Sequence, residues 1–171
     1  MEIRKAAEAD WEAIRQIYAF AREQMERQGN PTQWPPGYPV VEYALRDMQE
    51  GNCFVCVKEG RVAGVFSFIL GEDRTYQVLE EGSWHGTGPY GTIHRLASGG
   101  LSRGVAQSCF DFCAAHMDYL RMDTHENNRR MQFLAQRFGF QKCGRIYAED
   151  GTPRIAYDYR KDMYPEGSVI P

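Results

Sequence analysis

Apolar and charged positions alternate from Met1 to Lys5, which predicts an edge strand. The period then changes: Trp11, Ile14, Ile17, Tyr18, Ala21 and Met25 form one stripe of a helix. Asp10 is placed to cap that helix, and Gly29-Asn30-Pro31 interrupts it. Gln33 to Pro39 reads as a loop stiffened by three prolines and carrying Trp34 and Tyr38, and a second helix follows over about Val40 to Gln49. Cys53 to Lys58 and Arg61 to Leu70 predict an antiparallel hairpin around Glu59-Gly60. Gly71 to Gly91 is less regular, with Thr75 to Val78 as a short extension, and its turn-rich part, Glu80 to Gly88, reads as a mobile loop near a pocket mouth.

The pattern is strongest from Gly91 to Phe140. Gly91 to Ser98 is a strand ending in Gly99-Gly100-Leu101-Ser102-Arg103-Gly104. Ala106, Cys109, Phe110, Cys113, Ala114 and Met117 then share one helix face. Tyr119 to Thr124 returns as a strand, Asn127 and Asn128 are good caps for a helix carrying Met131, Leu134 and Phe138, and Gly139 is placed to stop it. Gln141 to Tyr147 and Arg154 to Tyr159 make a last hairpin across Asp150-Gly151. The expected order is β-α-α-β-β-β-α-β-α-β-β in one domain over 1–160. The tail, 161–171, is expected to be poorly ordered or docked on a neighbour.

Composition changes this picture little. The chain has 171 residues, 43% hydrophobic and 25% charged, enough for a substantial core. A net charge of −3 argues against a nucleic-acid surface, and no long apolar run suggests a membrane span, so a cytoplasmic protein is expected. Five cysteines, an odd count, argue against a disulfide framework. Cys53 and Cys56 on one strand would face opposite ways, and no metal is expected.

A strand that runs through a Gly turn into a helix can hold an anion, because the first helical N–H groups lack partners and carry the positive end of the dipole. Gly104, Ala106 and Ser108 are small enough for a phosphate to approach the backbone, and Arg103 adds a charged donor. Such turns are common, and alone this one reads equally as plain structure. Arg103-Gly104-Val105-Ala106-Gln107-Ser108 also resembles the Arg/Gln-x-x-Gly-x-Gly/Ala pyrophosphate loop of the GNAT N-acetyltransferases. Asn128 to Phe140 is similar to that family's second pattern, Asn-x-x-Ala-x-x-Leu-Tyr-x-Lys-x-Gly-Phe, with Ala135 at the tyrosine position.

The resemblance implies an α/β GNAT fold: a mainly antiparallel sheet of six to seven strands, a central splayed parallel pair, and helices on both faces. It implies acetyl-CoA as cosubstrate. The pantetheine would lie on the backbone of Leu96, Ala97 and Ser98, the pyrophosphate on Arg103 to Ser108 (Val105 and Gln107 included), with Asn128 and Met131 on the far side. The implied reaction is direct attack, in a ternary complex, by the primary amine of a small or amino-acid-like acceptor. The alternatives are a non-catalytic acyl-CoA-binding module and a peptide or protein N-acetyltransferase. The partner is thus a small-molecule amine, and a homodimer is left open.

An alkyl amine with a pKa of about 10 must lose a proton before it attacks. His94, at a strand position similar to that of the base in arylalkylamine N-acetyltransferases, is the first candidate; the plain reading is a strand histidine satisfied by a neighbour. His125 is either a base or acid, or a cap for the following helix. With Ala135 in place of the family's acid, Tyr147, Tyr157 or a water is left to protonate the leaving thiolate. Trp34, Tyr38, Trp84 and Tyr90 are expected to line an acceptor pocket. Arg95 is expected to pair with Asp123 or Glu149, or to bind substrate.

Overall fold

The computed structural model describes residues 1–163. Seven strands, β1 (Glu2–Lys5), β2 (Cys53–Lys58), β3 (Arg61–Leu70), β4 (Gly91–Ser98), β5 (Tyr119–Thr124), β6 (Gln141–Tyr147) and β7 (Pro153–Arg160), alternate with four helices. The helices are α1 (Trp11–Arg27), α2 (Val40–Gln49), α3 (Val105–His116) and α4 (Arg129–Phe138). The strands form one sheet in the order β1-β2-β3-β4-β5-β7-β6. Its neighbours are antiparallel except the central pair β4–β5, so the predicted element order and mixed sheet are both found. No helix among the described residues is long and apolar enough to cross a membrane.

Strand alternation divides the apolar residues between two cores. Phe66, Phe68, Ile93, Leu120 and Met122 pack against Phe110 of α3 and Phe138 of α4, while Val55 and Val65 face Ile14 and Ile17 of α1. Cys56 belongs to the first core and Cys53 to the second, as their spacing predicts. A third cluster, including Tyr76, Tyr90, Tyr119 and Cys143, lies beneath the chain between β3 and β4.

Helix boundaries follow local chemistry. The Asn128 side chain accepts the Met131 N–H at 3.1 Å and starts α4, and Gly139 ends it with a left-handed φ of 112°. Asp10 is a correction. It precedes α1 but makes no cap bond to it; its carboxylate takes a fork of bonds from Arg4 at 2.6 and 2.8 Å and the Ala7 N–H at 2.9 Å. Thr75 to Val78 is no strand extension either, because Arg74–Tyr76 forms a 3₁₀ turn started by Asp73. Met117 is extended and lies past the end of α3. Of the tail, Lys161–Met163 is a 3₁₀ turn, and 164–171, on which the expectation of disorder mostly falls, lie outside the described residues.

Two features position the site. β4 pairs with β5 only at Gly91–Leu120, Thr92–Arg121 and Ile93–Met122, after which the two strands part. On its other side β4 is bulged: Ser67 faces His94 and Val65 faces Ala97, so Arg95 and Leu96 together oppose Phe66. Arg95 takes the left-handed φ of 53° that such a bulge needs, a conformation a side chain adopts at a cost. The regular alternation of a strand, which would put His94 and Arg95 on opposite faces, is broken there.

The turn after β4 is packed onto the sheet by Val105, which is buried over Gly64 of β3. A Cβ at position 64 would lie 2.3 Å from Val105 Cγ1 and 3.0 Å from the Ala97 carbonyl oxygen. The stiff Val side chain has little room to yield. Gly64→Ala is therefore expected to destabilise the fold by about 1–3 kcal/mol through overpacking, read as a lowered urea midpoint. An unchanged midpoint would show that α3 shifts without cost.

Candidate active site

The half-buried His94 lies next to the bulge and is gripped by acidic groups from two other elements. Its Nε2 is 2.7 Å from Asp73 Oδ2, and its Nδ1 is 3.9 Å from Asp123 Oδ1 at the end of β5. Asp73 is itself fixed: its Oδ1 accepts the Thr75 N–H at 2.8 Å and the Thr75 hydroxyl at 2.6 Å, while its own N–H donates to the Tyr90 hydroxyl at 2.9 Å. Burial raises the Asp73 pKa, but the His94 and Thr75 donors outweigh it and hold the carboxyl well below the usual range. Asp123 accepts the Tyr76 hydroxyl at 2.7 Å. This set of residues was not anticipated as a unit. The Asp73-Arg74-Thr75 spacing, typical of an aspartate turning back on its own chain, is the sequence signal that locates it.

Arg95 points elsewhere. Its guanidinium pairs with Asp47 of α2, not with Asp123 or Glu149, and Nε donates to Asp47 Oδ2 at 3.0 Å. Ser67 donates to the same oxygen, whereas Asp47 Oδ1 is buried with no hydrogen-bond partner among the described residues. The Arg95 carbonyl, turned by the bulge, accepts the buried Tyr18 hydroxyl of α1 at 3.1 Å. Residue 95 thus ties both helices of one face to the central strand.

A cavity of about 200 Å³ lies where β4 and β5 have parted. His94, Arg95 and Leu96 of β4 form one side. Trp34, Tyr38 and Tyr43 close it on the α1–α2 side, and Met122, Asn128 and Met131 close it toward α4. Trp34 packs edge-on against Tyr18 with ring centroids 5.6 Å apart, and burial pushes the Tyr38 hydroxyl up to about 12. The loop bearing both is tied across the gap by Gln33. Its Oε1 accepts from Asn128 Nδ2 at 2.7 Å, Thr124 Oγ1 at 3.2 Å and Asn30 Nδ2 at 3.2 Å. Asn128 therefore spends its side chain on the α4 cap and on Gln33.

Beyond the cavity, β4 continues through Ala97 and Ser98 with its β5-facing edge unpaired, while both residues pair with β3 on the other side. Gly104 then enters α3 with a left-handed φ of 89°. The first bond in the helix runs from the Ser108 N–H to the Gly104 carbonyl at 2.9 Å, so the N–H groups of Val105, Ala106 and Gln107 have no acceptor inside it. Arg103 and Gly104 are exposed beside them, and a Cβ on Gly104 would meet nothing within 4 Å. This open cradle of donors fits a pyrophosphate.

Several expected site residues lie elsewhere. His125 does not line the cavity: its Nδ1 accepts the Asn127 N–H at 3.1 Å, and Thr32 Oγ1 lies 3.1 Å from its Nε2. Burial and then Arg154 lower its pKa. Tyr147 is half out in solvent and donates to Glu80 at 3.0 Å. Tyr157 is in the apolar core that also holds Ala135. Trp84 and Tyr90 are not on the cavity wall. They sandwich the buried Arg121 guanidinium at 4.0 and 3.9 Å from their ring centres, while Arg121 Nε donates to the Tyr119 hydroxyl at 3.1 Å. The chain from Gly71 to Gly91, of which Glu80 to Gly88 reads from sequence as a mobile loop, is fastened by this box, by Glu80 bridging Arg145 and by His85 bonding Asp158.

No protein-family model and no curated protein matches the chain. Solved structures do. A GNAT-family acetyltransferase from Streptococcus agalactiae is 29% identical, with a TM-score of 0.84 over 94% of this chain and 95% of that one. A putative acetyltransferase from Staphylococcus aureus is 21% identical, with a TM-score of 0.68 over 94% and 99%. The putative acetyltransferase yncA of Salmonella typhimurium, solved with acetyl-CoA, shares the fold at 13% identity, with a TM-score of 0.62 over 98% of both chains.

The buried Arg95–Asp47 pair yields the prediction for this region. Asp47→Ala strands the guanidinium and the Ser67 hydroxyl in the interior, and a loss of about 3–5 kcal/mol is expected in urea unfolding. A loss below 1 kcal/mol, on the order of an exposed pair, would mean that water reaches Arg95.

Proposed function

We propose that this chain, similar in sequence and fold to a GNAT-family acetyltransferase, transfers the acetyl group of acetyl-CoA to the amine of a small acceptor and releases coenzyme A. Acetyl-CoA supplies the activated acetyl thioester. The unpaired edge of Leu96, Ala97 and Ser98 offers backbone groups to the pantetheine arm, and the N–H cradle of Val105 to Gln107, with Arg103, binds the pyrophosphate. The observation that carries the reading is the coincidence of that parted edge with the cavity holding His94.

The acceptor arrives as an ammonium ion, which Asp73 and Asp123 attract. His94 gives its Nε2 proton to the bond with Asp73, which leaves Nδ1 as the nitrogen that accepts a proton from the amine. Asp73 fixes the ring and its tautomer, so it is a positioning residue; His94 touches the reacting amine. At about 200 Å³ the cavity is smaller than the roughly 300–1,000 Å³ of sites for drug-sized ligands, which favours a compact amine over a long peptide. Trp34, Tyr38 and Tyr43 give it an aromatic wall suited to a cation. Arg95, neutralised by Asp47, shapes the wall instead of binding an acid group.

Two variants test this. His94→Ala is expected to lower acetyl transfer by about 10²- to 10⁴-fold while calorimetric affinity for acetyl-CoA is retained. Arg103→Glu is expected to abolish acetyl-CoA binding and leave the unfolding midpoint unchanged. Wild-type protein that binds no acetyl-CoA would end the acetyltransferase reading, and undiminished turnover in His94→Ala would remove that residue from the mechanism.

A further inference from the structure

Apart from the cavity lining, three side chains from separate elements converge. We propose that His85 Nδ1, Cys143 Sγ and Asp158 Oδ1 form a zinc site, with solvent in the fourth position. Their ligand atoms all lie within 4.8 Å of one another. Nδ1 is 2.8 Å from Asp158 Oδ1 and 3.4 Å from Cys143 Sγ. Tetrahedral zinc with bonds of about 2.0–2.3 Å sets its ligand atoms roughly 3.3–3.6 Å apart, so the His–Asp pair needs to open by only about half an ångström.

The surroundings suit an ion. Asp158 is 2% exposed, and its single ion-pair partner within 4 Å among the described residues is His85; Arg121, opposite it on β5, reaches it only through the Tyr119 hydroxyl, so no permanent cation touches the carboxylate directly. Its other oxygen, Oδ2, is occupied by the His85 N–H at 2.8 Å and the Tyr119 hydroxyl at 3.0 Å, which turns Oδ1 toward the imidazole. Outer hydrogen bonds of this kind orient metal ligands. Arg160, a second nearby cation, reaches the His85 carbonyl and is neutralised by Asp162.

The third ligand is brought in by close packing. A Cβ on Gly82 would lie 1.8 Å from the Cys143 carbonyl oxygen, so only glycine lets the loop press on β6 and carry His85 over the thiol. The buried Cys143 thiol is held protonated by desolvation and by Asp158. Coordination by zinc exchanges that proton for the metal and releases it to water, while the imidazole proton that Nδ1 shares with Asp158 leaves Nδ1 and the ring carries it on Nε2. The side chain of His85 is 37% exposed, which gives the ion a way in. Bound zinc would clip the Gly71–Gly91 loop to β6 and β7.

The test is a cobalt titration of the untagged, chelator-stripped full chain. One equivalent of Co²⁺ is expected to produce a thiolate-to-cobalt charge-transfer band, and Zn²⁺ to displace it. Cys143→Ala is expected to abolish the band. His85→Ala, which alters a partly exposed side chain and spares the core, is expected to weaken binding by more than about tenfold. Absence of the band in the wild type overturns the proposal, as does a band that survives in both variants.

Discussion

The early parting of β4 from β5 is the constraint from which the rest of the structure follows. Inside a sheet, an unpaired strand edge leaves backbone donors and acceptors without partners, and folds normally avoid it. Just past the last β4–β5 pair, residue 95 bulges β4 against β3. Its left-handed backbone costs on the order of 1–3 kcal/mol, and persists because the surroundings over-determine it. The Tyr18 hydroxyl takes the carbonyl, Asp47 takes the guanidinium, and β3 pairs on either side of the bulge. Three elements distant in sequence therefore hold one backbone turn, and the cavity lies beside it.

A second layer of order comes from carboxylates that meet on His94. Asp73 belongs to the loop and Asp123 to the strand that has moved away, so the imidazole spans the two sides of the gap. Gln33 does the same at the other end, joining the aromatic loop to Thr124 and Asn128. The gap is thus crossed by side chains where backbone pairing has stopped. Side-chain bridges of this kind admit a ligand between them, which a continuous ladder does not.

The parts of this arrangement that depend on local chemistry were legible in the sequence. The Asn128 cap and Gly139 stop of α4, the Gly104 turn and the strand periods all follow from preferences within a few residues of the chain. The pairings of Arg95 with Asp47 and Tyr18, at sequence separations of 48 and 77, were not, because many carboxylates and phenols compete for one arginine and only packing selects among them. The bulge hid a second fact: period-two reasoning puts His94 and Arg95 on opposite faces, yet both reach the cavity. Trp84 and Tyr90 misled for a related reason. Aromatic residues in a Gly-rich loop suit a ligand pocket, but here the cation they hold is the protein's own Arg121.

That aromatic box bears on the conditions the protein tolerates. Arg121 has no carboxylate partner within 4 Å among the described residues, and its charge is met by ring faces and one phenol in the interior. Surface ion pairs weaken as added ions screen them, with a Debye length of about 8 Å in physiological saline. A buried cation stacked between rings excludes those ions. The loop that carries Asp73 toward His94 is thus anchored by an electrostatic contact that dissolved ions reach less than they reach a surface ion pair.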